Sequence, residues 1–239
     1  MAMTTDVLNY GRRFNHRIVD LGYNDLKAET GPKYRQYTDP KGNKYYSITT
    51  CLSILSEEAI QAWRARVGEE EANRISTEAS TRGTRVHEIL EAYVNNEEDY
   101  MAKKETFQDE FVFNQIKPEI DKNLTEVWGQ ECALYSEHLG VAGRVDLVGI
   151  WNGQPSIIDW KTSKKEKKEE WIKGYYMQAT AYAIMWEERT GIPITQLVVA
   201  IAGDRGPQIF VSHRDKWDKQ LIETINEFKR RQMWPNQRK

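Results

Sequence analysis

Residues 143–162, GRVDLVGIWNGQPSIIDWKT, place two aspartates and a lysine on what reads as a single hairpin. Two runs rich in β-branched and aromatic residues flank Asn152-Gly153, the strongest short signal for a two-residue type I′ turn. With that loop Trp151 pairs with Gln154, Asp146 faces Asp159, and Arg144 faces Lys161. Directly opposed carboxylates about 5 Å apart repel by roughly 3 kcal/mol at an effective dielectric of ~20. On a solvated face screening would hide this, and the pair would be accidental. On central strands covered by helices, charged groups need partners. Two carboxylates converging from adjacent strands make a hard oxygen site suited to Mg²⁺ or Mn²⁺. A lysine two residues along the strand from Asp159 lies on the same face. There it can orient or deprotonate a water, or neutralise charge building on a phosphoryl group. This is a minimal apparatus for phosphodiester hydrolysis.

The elements that must position these groups follow from hydrophobic periodicity and turn residues. Residues 33–49 read as two short strands around a turn at 39–43. Helices are predicted at 52–76, at 81–95 with Val86, Ile89, Leu90, Tyr93 and Val94 on one face, and at 107–123, where Pro118 kinks the helix or begins another. Strands follow at 126–136, 141–151 and 154–162, then a helix at 170–190 ended by Gly191-Ile192-Pro193. Strands at 194–202 and 208–212 and a helix at 215–232 close the chain. The order implies an α/β (α+β mixed) fold, a central mixed β-sheet with an antiparallel meander flanked by helices. In this register Arg144, Asp146, Asp159 and Lys161 share one face, and Val145, Leu147, Ile158 and Trp160 point the other way.

Composition bounds the rest. Of 239 residues 29% are charged and 39% apolar, as in a globular protein. The longest clean apolar run, residues 197–202, is too short to span a bilayer. The opening MAMTTDVLNYGRR lacks the apolar core of a signal peptide, and Asp6 counts against a transit peptide. Cys51 and Cys132 are the only cysteines and form no CxxC, which excludes a four-cysteine zinc or iron–sulfur site. Reduced thiols and a cytoplasmic setting are expected. A net charge of −2 gives no global positive field. Local basic segments remain at Arg12-Arg13 with Arg17, at 161–168, at 229–231 and at 237–239. Each is by default a solvated face, and gains meaning only beside an active site.

The elements GRVD, IIDWKT and QATAY, preceded by RGTRVHEILE, resemble the RecB-like branch of the PD-(D/E)xK nuclease superfamily. The run KYYSITTCLSIL also resembles the lead-in of mitochondrial genome maintenance exonucleases and related phage exonucleases. The resemblance spans roughly residues 45–185 and implies a restriction-endonuclease-like core. It implies that Asp146 and Asp159 bind the metal, that Lys161 serves the attacking water, and that His87 approaches the same ion from a helix. A histidine ligand would favour Mn²⁺ over Mg²⁺. Glu131 matches an acidic position near such sites, reaching the ion through a water or another ligand, or is an ordinary strand-edge glutamate. Gln178 and Tyr182, at i and i+4, would touch DNA or brace the catalytic strands. Val145 stands where the family often has proline, and Asp159 where it often has glutamate.

Around these groups, Thr162 and Ser163 offer hydroxyls and backbone N–H groups to phosphate, and Lys164 and Lys165 offer charge. Arg144 is expected beside them. Trp171 and Tyr175, on the stripe of Gln178 and Tyr182, are the best candidates for stacking on unpaired bases. No helix presents a base-reading array. The expected protein is a metal-dependent DNA exonuclease of replication, recombination or repair, bacterial or phage-encoded. It would act on single-stranded or duplex DNA ends beside a recombination or replication partner. It is expected as one nuclease domain over 1–239, with a hairpin and helical part at 1–125 and a catalytic core at 126–239. Its rivals are a flap-type endonuclease and a DNA-end binding module without catalysis.

Overall fold

The computed structural model describes residues 13–31 and 33–233; the leader reading, with Arg12, and the basic end at 237–239 lie outside the described residues. In chain order the elements are β1 (Asn15–His16), β2 (Lys27–Thr30), β3 (Arg35–Thr38), β4 (Lys44–Ser47), α1 (Ile48–Leu52), α2 (Glu57–Val67), α3 (Glu69–Val94), α4 (Phe107–Asn123), β5 (Leu124–Ser136), β6 (Val141–Trp151), β7 (Gln154–Ser163), α5 (Lys173–Thr190), β8 (Gln196–Gly203), β9 (Gln208–His213) and α6 (Asp218–Met233). They build the expected mixed sheet with helices on its faces. Both cysteines are free thiols. Among the described residues no helix is long and apolar enough to cross a membrane.

Local chemistry explains most boundaries. Thr106 and Asp109 form a reciprocal capping box that starts α4, which runs on through Pro118 to Asn123. Gly191, in the left-handed region at φ 70°, ends α5. The helices expected at 52–76 and 81–95 are placed differently. The break falls at Gly68, whose φ of 89° suits glycine, and the Ser/Thr-rich stretch at 76–81 stays helical within the 26 residues of α3. Buried Arg82 ties that stretch to Asp204 at 2.9 Å, a tertiary contact that local propensity does not contain.

The sheet runs β2-β3-β4-β6-β7-β8-β9, with β5 paired to β6 and β1 to β5. The hairpin register is as expected: Trp151 pairs with Gln154 and the ladder continues to Leu147 opposite Ile158. It ends there. Lys161 instead pairs with Ile201 of β8, and Arg144 with Ala133 of β5. One edge of β6 is lined along its length by β5. The other edge is shared: β4 lies parallel to it at Val141 and Ala142, and β7 antiparallel to it from Leu147 onward. Residues 143–146, the GRVD segment, therefore sit in a fork between β4 and β7.

At the fork the strands also change faces. Val145 packs in the same core as Ile48, Tyr182 and Ile157, whereas Leu147 packs with Ile158, Trp160 and α3 residues Val86 and Ile89. The simple alternation that set Val145 and Leu147 on one face fails there. Glu131 of β5 sits between partners of Leu147 and Val145 and has a left-handed φ of 48°.

Downstream of the fork the β5–β6 ladder is offset between Val127 and Gly129, and a side chain on Gly149 would overlap the Glu126 carbonyl. Gly149→Ala should therefore destabilise the fold by about 1–3 kcal/mol, because backbone must move to admit one methyl group. The urea midpoint of the purified variant checks this.

Candidate active site

The fork gathers the acidic groups. Asp146 does not simply confront Asp159 across a ladder: its Oδ2 accepts the Trp160 backbone N–H at 2.8 Å, in the region where strand pairing has stopped. Its Oδ1 lies 4.0 Å from Nδ1 of His87 on α3. Ligand atoms of His87, Glu131 and Asp146 all lie within 4.8 Å of one another. The trio comes from three elements: α3, held to the sheet by the buried stripe that includes Val86 and Ile89, β5 at its left-handed kink, and β6 at its fork.

Asp159 stands just outside this trio, with 1% of its side chain exposed, and turns Oδ2 toward Lys161 Nζ at 2.5 Å. Oδ1 of Asp159 is buried and accepts no hydrogen bond among the described residues. A buried carboxylate oxygen without a donor is costly unless a cation faces it. That orphan oxygen, beside a cluster of one imidazole and two carboxylates, is a donor set that fits Mg²⁺ or Mn²⁺. The glutamate thus sits closer to His87 and Asp146 than an outlying role implies, while Asp159 is engaged by the lysine.

Charge states follow from burial. Glu131 is pushed up to about 7, first by burial, then by Asp146 and Glu91. Burial pushes Asp159 up to about 6 against the pull of Lys161, and raises Asp146 as well. His87 is lowered by burial and by the Lys161 ammonium, so its imidazole stays neutral with a lone pair to give. Burial alone would lower Lys161, but Asp159 and Asp146 override it and hold the ammonium above its ordinary value. Lys161 Nζ also lies 5.1 Å from the ring centroid of Tyr175.

The remaining expected residues divide. Gln178 and Tyr175 line a cleft of about 620 Å³ between α5 and the turn after α1, together with Trp171, which is 59% exposed. Thr162 Oγ1 lies across from Gly83 of α3. Lys165 is exposed; Lys164 is exposed but ion-paired to Glu78 of α3. Tyr182 is 2% exposed and its hydroxyl accepts from Gln178 Nε2 at 3.2 Å, which agrees with the bracing alternative. It packs on Gly143, where a Cβ would come within 2.8 Å of its ring. Two expectations are corrected. The Ser163 hydroxyl is used within its own turn, donating to the Lys165 carbonyl at 2.6 Å. Arg144 does not face Lys161: its guanidinium pairs with Asp25 at 2.8 Å.

Sequence reasoning missed the fasteners of α3. Arg82 bonds Asp204, and Arg85 bonds buried Asp109 at 2.9 Å, so both arginines of RGTR hold the helix that carries His87. Two arginines at i and i+3 beside an apolar stripe were the available signal. Gln208 likewise pins the lysine-rich loop, accepting Lys167 N–H at 2.8 Å and donating to its carbonyl at 2.9 Å.

The Glu131 shift carries a sign. A carboxyl raised from about 4.5 to about 7 favours the fold while neutral, below the lower value, and that contribution is lost as pH climbs through the higher one. Glu131→Gln removes the titration. In chelator, wild-type stability should therefore fall relative to Glu131→Gln between pH 4.5 and 7.5, as urea midpoints at both ends will report.

Comparison with known proteins bears on the same residues. Mitochondrial genome maintenance exonuclease 1 from Homo sapiens is 28% identical over 112 residues, covering 45% of this chain and 32% of the human protein. The Mus musculus protein of that name is 28% identical over 115 residues, with the same two shares. The match thus spans about a third of these relatives' length. A family model described as the PD-(D/E)XK nuclease superfamily matches residues 61–238, a stretch that takes in His87, the fork, the lysine and all of α5. With three quarters of its length so matched, the chain belongs to the PD-(D/E)XK nuclease superfamily.

Proposed function

We propose that this chain is a metal-dependent deoxyribonuclease that hydrolyses phosphodiester bonds from DNA ends, in replication, recombination or repair. The observation that carries the reading is the convergence of His87, Glu131 and Asp146 donor atoms within 4.8 Å, beside the buried Asp159–Lys161 pair. His87, Glu131, Asp146 and the free oxygen of Asp159 would hold a Mg²⁺ or Mn²⁺ ion. When bound, that ion lowers the pKa of its water and polarises the scissile phosphate.

The protein's own groups do the rest. Lys161 keeps its proton at Nζ because Asp159 and Asp146 flank it. From there it offers a positive donor to the attacking water and the phosphate oxygens. Asp159 holds the ammonium in place. Tyr175, Gln178 and exposed Trp171 offer a path for the DNA strand away from the reacting phosphate, with Thr162 and Lys165 at the same end of β7. The exonuclease reading draws on the similarity to the two mitochondrial genome maintenance exonucleases. A setting in bacterial or phage-infected cytoplasm is part of the same proposal.

Asp146→Asn keeps an oxygen for the Trp160 N–H, and Lys161→Met keeps the stem. Both variants should fold, and each should lose about 10³-fold or more in cleavage rate, the scale of removing one catalytic electrostatic partner. Wild-type rates in either, with circular dichroism unchanged, would overturn the assignment. Excess chelator should silence the enzyme and Mn²⁺ restore it.

End-labelled linear DNA should be digested at least tenfold faster than a covalently closed circle. Equal rates on the two, with single nicks accumulating in the circle, would replace the exonuclease reading with an endonuclease.

A further inference from the structure

Glu131 is a non-glycine residue in the left-handed region, at φ 48°, in the middle of a 13-residue strand. A Cβ disfavours that conformation, so the surroundings must enforce it. Turning the backbone there takes the Glu131 carbonyl away from ordinary ladder pairing, and a carbonyl so placed needs a donor. The donor is Arg144, whose Nη1 bonds the Glu131 carbonyl oxygen. Its Nη2 bonds both carboxylate oxygens of Asp25, at 2.8 and 2.9 Å.

Asp25 lies outside every motif, on the irregular segment before β2. That segment is itself fixed to the sheet. Asp25 Oδ1 accepts the N–H of buried Leu26 at 2.8 Å, and the Tyr23 hydroxyl donates to the Ala133 carbonyl at 2.9 Å, two residues past Glu131. A planar guanidinium can satisfy a carbonyl and a carboxylate together; an ammonium is a point donor without that fork.

The geometry points to Asp25 and Arg144 as a brace that holds Glu131 in its turned conformation and so aims its carboxylate at His87 and Asp146. Arg144 is a positioning residue that acts through Glu131, and the segment before β2 is a working part of the site. This rests on the metal-site reading above for its functional consequence, but its structural half stands apart from it.

The experiment uses Arg144→Lys, Asp25→Ala and Asp25→Glu in the full chain, with Mn²⁺ alone as the probe in calorimetry. Arg144→Lys and Asp25→Ala should weaken Mn²⁺ binding about tenfold, the usual scale for a lost supporting partner. Asp25→Glu should restore most of it. In a Glu131→Gln background, Arg144→Lys should weaken Mn²⁺ binding no further, since the carboxylate that the brace aims is gone while the backbone carbonyl it holds remains. A crystal structure of Asp25→Ala should find Glu131 at negative φ. If φ stays near +50° there, or if Arg144→Lys lowers stability with Mn²⁺ affinity unchanged, the brace is refuted. Should Arg144→Lys not fold, exposed Asp25→Ala decides by the same two readouts. A wild-type chain that binds no Mn²⁺ sinks the metal-site reading instead, and the φ of Glu131 in Asp25→Ala still judges the brace.

Discussion

The structure turns on one hydrogen bond that replaces a rung of the sheet. Where β6 and β7 part, the Trp160 N–H is taken by the Asp146 carboxylate rather than by a backbone carbonyl. A buried amide needs an acceptor, so the parting of the strands and the presence of an aspartate at that position require one another. The parting makes room for side chains among the central strands. The aspartate, committed through one oxygen to the backbone, has its other oxygen free toward His87. The parallel contact of β4 with the start of β6 closes the far side of the fork. Ile48 and Tyr182 seal it against Gly143, whose lack of a side chain lets both approach.

Electrostatics follow from that geometry. Carboxylates withdrawn from water resist ionisation, and Glu131, Asp146 and Asp159 are all raised. Lys161 moves the other way relative to what burial would do, because two acids face it. The site is therefore an excess of acid held together by a single ammonium and by hydrogen bonds, an arrangement whose natural counterpart is a small hard cation. The scaffold that maintains it is distributed. Arg82 and Arg85 fasten α3, and Gln208 fastens the loop that follows the lysine.

Much of this was legible in the sequence because the signals are local. The Asn-Gly turn fixed the hairpin register correctly as far as Leu147 and Ile158. The apolar stripe of α3 and the three long strands carried clear periodicity. What escaped was non-local. Nothing near Arg144 announces that β7 has already turned away toward β8, so opposing it to Lys161 extended a ladder past its end. Strict alternation also failed between Val145 and Leu147, since a kinked neighbour such as Glu131 leaves no mark on periodicity. The two-residue β1 and the polar β2 were missed because they bury too little to show a pattern. Gly68 was the better helix breaker than the Ser/Thr stretch, and its positive φ shows why. Among site residues, His87 with Asp146 and Asp159 with Lys161 were brought close. The freedom of the Ser163 hydroxyl was misjudged, because a hydroxyl's partners depend on folded neighbours.

The sheet's β2 end has a consequence for self-association. A terminal strand leaves a row of unsatisfied amides and carbonyls that invites a stranger's strand to dock. Among the described residues the terminal strand is only four residues long, KAET, and all four are exposed. Glu29 is flanked by Lys27 at 2.7 Å and Lys44 at 3.5 Å. Docking a foreign strand there would dehydrate three charges in exchange for a handful of backbone bonds, so this rim discourages fibril-like stacking of one copy onto the next.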